Sequence, residues 1–458
     1  MKIKITAVFL LLVFILTACS KTPDTSSQNS NETESTYSEI SDETSDETSN
    51  EPIKRTWPVV SGTFIQPYMP ANYSEEQWKT HYKNLLEVGI DTMIIQWIAE
   101  TPYGKFKTCY YDSNLVENNK TSDFSQSKAM LERCLKTAEE LGVKVFVGLN
   151  LSDEWWNKAC TDTAWNKTQA DLGVAIAEET YLLYKEKYPN AFYGWYFAWE
   201  MFNGMQNYEK QAGEFLNMFL DPLTELDASM PFLLSPFVSK NTPAEKTGQE
   251  WKKVFEYANF REGDIFCCQD SVGAGHIEID QLDAYFAELK KACDTETGLR
   301  FWANTENFDQ STWTSAYIDR FVRQMKIAQP YVEGYVTFSY SHYYSKDVTG
   351  KAPYHNAYKV YYDTGMETAF DLEKPTVALV QKNNETYLSI TLKNSPAGME
   401  YIKITSPVTK TISPNALQNT NEELSFEIKY TPDSSEKNCV VELKDYFGNV
   451  NSFTIPIN

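Results

Sequence analysis

The chain has 458 residues and a formal net charge of −22, which argues against nucleic acid and anionic membrane surfaces as partners. The length leaves room for two or three domains. Eight cysteines, at 19, 109, 134, 160, 267, 268, 293 and 439, show neither C-x-x-C spacing nor a paired histidine, so no metal site, cofactor or disulfide framework is expected.

Lys2 and Lys4 precede an apolar run, Ile5 to Leu16, that is too short for a membrane span and has the flanks of a secretory signal. It runs into Leu16-Thr17-Ala18-Cys19, which resembles the processing box of bacterial lipoproteins. That resemblance implies a signal over residues 1–19, acylation of Cys19, palmitate included, and an extracytoplasmic protein held on the bacterial cell membrane by lipid alone. Residues 20–55 are largely Ser, Thr, Asn, Asp and Glu with no apolar period. Such a segment cannot bury enough surface to fold and reads as a disordered acidic tether.

From Trp57 a strand-then-helix rhythm sets in. Expected strands are Gly62 to Tyr68, Thr92 to Trp97, Lys144 to Asn150, Ala191 to Trp199, Phe232 to Val238, Asp264 to Asp270, Arg300 to Thr305 and Gly334 to Tyr340. Expected helices begin near Ser74 and then cover Ser125 to Leu141, Thr163 to Tyr188, Tyr208 to Leu226, Pro243 to Ala258, Gln281 to Ala292, Thr314 to Ile327 and Asn356 to Tyr362. Eight such units over residues 56–368 predict an α/β fold, a (β/α)8 TIM barrel. A doubly wound open sheet would normally carry a Gly-rich phosphate turn after an early strand, and none is present. Over 372–458 the pattern turns to short alternating strands, Thr376 to Val380, Tyr387 to Leu392, Leu424 to Ile428, Cys439 to Leu443 and Ser452 to Ile457. These predict an all-β immunoglobulin-like sandwich, read as a packing spacer rather than a glycan-binding module.

The fourth and seventh strands are apolar runs that end in carboxylates, Glu200 and Glu306. The C-terminal ends of barrel strands are where α/β barrels place their chemistry. Two carboxyls flanking one bond are what glycosidic cleavage needs, one as proton donor and the other as nucleophile or base. Aromatics make up 14% of the chain, with 11 Trp and 29 Tyr, enough both to fill a barrel and to stack on pyranose rings. Strand ends and the loops behind them add candidate substrate-binding residues: Gln66, Tyr68, Gln96, Trp97, Asn150, Gln269, Asn304, Tyr340 and His342. Trp155 and Trp156 form either a stacking platform or a loop anchor. Asp270 is the leading alternative carboxylate, followed by Glu100 and Asp153. His342 is placed to bond a carboxylate.

With Trp302 upstream and Thr305-Glu306 at its end, strand seven resembles the glycoside hydrolase clan that carries an acid/base Glu on strand four and a nucleophile Glu on strand seven. The barrel is similar also to bacterial lipoproteins classed with such glycosidases. The resemblance spans Trp57 to roughly Tyr362 and implies that Glu200 is the acid/base and Glu306 the nucleophile, acting on an oligo- or polysaccharide. The clan has Asn-Glu on strand four where this chain has Trp199-Glu200, and Asn203 is the expected substitute. The rival expectation is a non-catalytic glycan-binding lipoprotein on a degenerate barrel. A weaker third is a cell-wall or protein scaffold that uses the β domain. No G-x-S-x-G elbow, P-loop or H-E-x-x-H motif is present, which disfavours serine hydrolase, nucleotide and zinc-protease chemistry.

Overall fold

The computed structural model describes residues 55–158, 160–366, 372–415, 417–432 and 437–457. The expected signal peptide, Cys19 and the tether up to residue 54 lie outside the described residues. Eight short apolar stretches become parallel strands: β1 (Gly62–Ile65), β2 (Thr92–Ile95), β3 (Lys144–Gly148), β4 (Phe192–Phe197), β5 (Phe232–Leu234), β6 (Ile265–Gln269), β7 (Arg300–Asn304) and β8 (Gly334–Thr337). Each pairs with the next, and β1 closes on β8 with Gly62 opposite Val336. The closed barrel is the expected TIM fold. Inside it the Phe64 and Tyr196 rings meet edge to face at 5.2 Å, joining β1 to β4 across the lumen.

A long helix follows each strand: α1 (Glu75–Leu86), α2 (Met130–Leu141), α3 (Thr163–Tyr184), α4 (Glu209–Asp227), α5 (Ala244–Tyr257), α6 (Leu282–Cys293), α7 (Ile318–Ala328) and α8 (Ala352–Thr364), with single helical turns at Trp155–Lys158 before α3 and Tyr340–Tyr343 before α8. Local chemistry sets their ends. Ser74 and Gln77 exchange a capping box at the start of α1, and Gly142, in the left-handed region, stops α2.

Two local expectations fail. The helix expected from Ser125 begins at Met130, because residues 120–126 instead form the edge of a four-stranded sheet with Phe106–Cys109, Ala99–Glu100 and Asn150–Leu151. Thr314 starts no helix either; Thr314–Ser315 pairs with Phe308–Asp309 in a short hairpin. The sandwich also holds two strands beyond those expected, Met399–Ser406, whose alternation a bulge between Met399 and Tyr401 breaks, and its three-residue partner Lys410–Ile412.

The C-terminal domain packs two sheets. One holds β9 (Thr376–Lys382), β10 (Glu385–Lys393) and β13 (Glu423–Lys429). The other holds β11 (Met399–Ser406), β12 (Lys410–Ile412), β14 (Asn438–Asp445) and β15 (Val450–Pro456). Buried Leu388, Ile390, Ile402, Ile404, Val441 and Leu443 form the core between them. The turn after β14 docks on the barrel. Phe447, fully buried, joins the barrel core, its carbonyl accepts the Asp319 N–H (2.9 Å), and Tyr446 meets Tyr354 edge to face at 5.2 Å. Tyr317 donates to Glu400 at 2.9 Å and Lys444 lies 4.0 Å from the Tyr317 ring centroid. All seven described cysteines are free and buried.

Phe447→Ala is expected to cost about 3–5 kcal/mol, the range for emptying a buried Phe site. The urea midpoint would read it, and an unchanged midpoint would mean that the sandwich contributes nothing to barrel stability.

Candidate active site

Barrel closure puts the C-terminal ends of all eight strands on one rim, so residues distant in sequence become neighbours. Glu200, just beyond the end of β4, is half-buried on this rim. Its approach is apolar, with Ala198 and Trp199 both buried. Trp199 packs with Trp155, Trp165 and Phe215 in one aromatic cluster, the Trp155 ring 5.9 Å from it. Trp155 also donates its indole N–H to the Glu200 carbonyl at 2.9 Å, which fixes the backbone under the carboxylate. Gln269, at the end of β6, donates its amide to Glu200 Oε1 at 3.2 Å and to the Ser235 carbonyl at 3.0 Å. Burial pushes the Glu200 carboxyl above its ordinary range, and the Gln269 amide only partly offsets this.

Glu306 stands on the same rim and is 1% exposed. A tight loop after β6 covers it: Ala274 donates its N–H to Glu306 Oε2 at 2.7 Å. A Cβ on Gly273 would press on the Phe308 carbonyl and stand 2.9 Å from Glu306 Cβ, so only glycine fits against the carboxyl. Asp270, also 1% exposed, lies directly behind. It accepts the Glu306 N–H (3.2 Å), the Val272 N–H (3.2 Å) and the Gln324 amide. Burial raises the Asp270 pKa to about 6. Burial, then the Asp270 carboxylate, and further off that of Glu200, hold Glu306 well above the carboxylate range, against the Ala274 N–H and Arg320.

Other expected site residues divide by burial. Gln66, Gln96 and Gln269 are half-buried at strand ends, Tyr68 is 56% exposed and donates to Gln66, and Trp156 is 43% exposed. His342 is half-buried too, but it takes the Gln66 N–H at 3.1 Å rather than a carboxylate, and burial pushes its pKa to about 3. Several residues need correction as sugar contacts. Trp155 is a loop anchor, 1% exposed. Asn150 is fully buried and donates to Gln169 and Thr101 under α3. Asn203 is buried and bonds Ser239 and Thr247, so it does not replace the clan's asparagine beside Glu200. Tyr340 is buried against His355, and Trp97 is buried in the core. Asn304 is buried and donates to Ser235 Oγ. Glu100 pairs with Lys107 at 3.7 Å, and its pKa is raised by burial first, with Asp153 adding to it.

Four residues escaped sequence reading. Tyr343, after β8, lies close enough to feel the charges of Tyr68 and Glu306. Phe308 stacks between it and the exposed Trp313, at 5.4 and 5.9 Å. Phe237, after β5, stacks with Phe202 and His276 at 5.5 and 5.1 Å. Aromatic density was the available signal, but it does not say which rings face outward. Buried polar atoms without a protein partner also gather at these strand ends: Gln96 Oε1, Asn304 Oδ1, Thr305 Oγ1, Thr337 Oγ1 and both amide atoms of Asn307.

The barrel fold is shared with a solved structure. A structure described as a "putative alpha-L-fucosidase" from Bacteroides thetaiotaomicron aligns over 71% of this chain and 99% of its own, at 21% identity and a TM-score of 0.54. More distant are a xylanase from Thermoanaerobacterium saccharolyticum (64% of this chain, 88% of its own, 13% identity, TM-score 0.37) and an endoglucanase (65%, 97%, 11% and 0.40). No curated protein matches the sequence. Residues 60–350 match the family described as Domain of unknown function (DUF4434). That match covers more than half of the chain, which therefore belongs to this family.

Proposed function

We propose that the protein hydrolyses glycosidic bonds in an oligo- or polysaccharide, with Glu200 and Glu306 as the carboxyl pair. The observation that carries this reading is their convergence on one rim, where the end of β6 holds Glu200 through Gln269 and the loop after β6 holds Glu306 through Ala274. Glu200, its pKa raised by burial, protonates the leaving oxygen as the bond to the anomeric carbon breaks. Glu306 attacks that carbon as a carboxylate and forms a glycosyl ester. Water, deprotonated by Glu200, then cleaves the ester and restores both groups. Glu306 attacks only in its ionised form and once its Gly273–Ala274 cover has moved aside.

That burial is also what favours the second reading, a glycan-binding barrel without turnover. The two are separated by sugar release from wild type, Glu200→Gln and Glu306→Gln, with circular dichroism to check folding. Each variant is expected to lose at least about 100-fold in kcat/KM, the scale of a lost acid, base or nucleophile. Equal turnover in all three would remove the mechanism.

The pH profile is a finer test. Attack requires ionised Glu306, so activity rises as pH passes upward through its pKa. The Asp270 carboxylate raises that pKa. Asp270→Asn is therefore expected to move the acid limb of kcat/KM to lower pH; a limb that stays or moves upward would count against Glu306 as nucleophile.

We also propose that acylated Cys19 anchors the protein outside the cell membrane. Cys19→Ala should abolish labelling by radioactive palmitate and shift the protein from the membrane fraction to the medium. Retained labelling would place the lipid elsewhere.

A further inference from the structure

The rim carries two separate groups of aromatic rings. The first spans the loops after β3 to β6: Trp156 lies 6.4 Å from Phe237, which stacks with Phe202 and His276. The second spans the loops after β7 to β1: Trp313, Phe308 and Tyr343 form a near-parallel stack, with interplanar angles of 9° and 17°. Tyr68 completes that side, near enough to Tyr343 to raise its pKa. In strand order these are opposite arcs of the closed barrel. Glu200 belongs to the first arc and Glu306 to the second, so each carboxyl has an aromatic group on its own side.

Their exposure is unusual. Trp313 is 61% exposed, Tyr68 56% and Trp156 43%. Trp313 is also held at φ 52, a conformation that a residue with a Cβ adopts only under constraint and that concentrates at ligand sites. An exposed indole laid flat on Phe308 offers its outer face to an apolar ring surface, such as the C–H face of a pyranose.

The charge around the groups narrows the ligand. Glu100, Asp153, Glu200, Asp270 and Glu306 all follow strand ends, in a chain of net charge −22. Lys351, beside the second group, donates to Ser315 Oγ at 2.9 Å. The five carboxyls outnumber the cations described beside them, Lys107, Arg320 and Lys351, so a glycan bearing carboxylates or sulfates would meet net repulsion at this rim.

We propose that the substrate is an extended, uncharged glycan lying across the rim, with sugar residues stacked on the exposed Trp156 on one side of the carboxyl pair and on the exposed Trp313 and Tyr68 on the other. The proposal deepens the hydrolase reading and rests on that carboxyl pair as the point of cleavage. Cleavage then falls at interior bonds.

Two measurements on the full chain test it. In the first, neutral oligosaccharides of increasing length, labelled at the reducing end, are digested. The expected result is interior cleavage whose kcat/KM rises with length, with Trp156→Ala and Trp313→Ala each removing about tenfold of that rise. Release of terminal monosaccharides only, at a rate independent of length, would overturn the proposal. In the second, migration is followed in gels containing xylan, galactomannan or polygalacturonate. Retardation by a neutral polymer, weakened in both tryptophan variants, supports the proposal even if wild type cleaves nothing, in which case the hydrolase reading alone fails. Retardation by polygalacturonate alone, or by no polymer, or retardation unchanged in the variants, overturns it.

Discussion

Closure of the eight-stranded sheet is the constraint from which the rest follows. Once β1 pairs with β8, no strand edge is left unpaired and every strand presents its C-terminal end to one rim. Residues 200, 270 and 306, far apart along the chain, are thereby forced into one electrostatic environment. Three carboxyls crowded there cannot all ionise cheaply. The protein answers at contact distance with neutral donors, and the Arg320 cation adds to them for Glu306 and Asp270: the Gln269 amide for Glu200, the Ala274 N–H for Glu306, and the Gln324 amide with two backbone N–H groups for Asp270. Neutral donors steady a carboxyl without neutralising its charge, which leaves protonation free to respond to a ligand or to a neighbouring acid.

The barrel was legible in the sequence because its strands are covered on both faces and read as unbroken apolar runs, and because Glu200 and Glu306 interrupt two of those runs sharply. The same rule located Gln269 and Asp270. What it could not supply was side-chain direction beyond the strand. Trp155 and Trp156 are adjacent and chemically identical, yet one is sealed beneath Glu200 and the other faces solvent, because consecutive residues in a helical turn point in different directions. Asn150 and Asn203 likewise sat at suitable strand ends, but buried helices claimed their amides. The cover over Glu306 was invisible for another reason. Gly273 looks like ordinary turn punctuation, and only the fold shows that its missing side chain is the space the carboxyl occupies.

Aromatic residues serve two purposes that the composition alone could not separate. Trp155, Trp165, Trp199 and Phe215 lock the loops after β3 and β4 into a rigid base. Trp156 remains open to solvent beside that base, and Trp313 does so on the opposite arc, where Phe308 supports it. Rigidity below and exposure above are two halves of one arrangement, since a platform orients a ligand only if its own support does not move.

The turn that carries Phe447 from the β-sandwich into the barrel core has a consequence for how such proteins diversify. A module that lends a side chain to its neighbour's interior is not a detachable appendage; removing it would open a hole in the barrel and bare a greasy scar. Lineages built this way should therefore inherit barrel and sandwich as one piece, and novelty should enter through the rim loops rather than by shuffling the domain behind them.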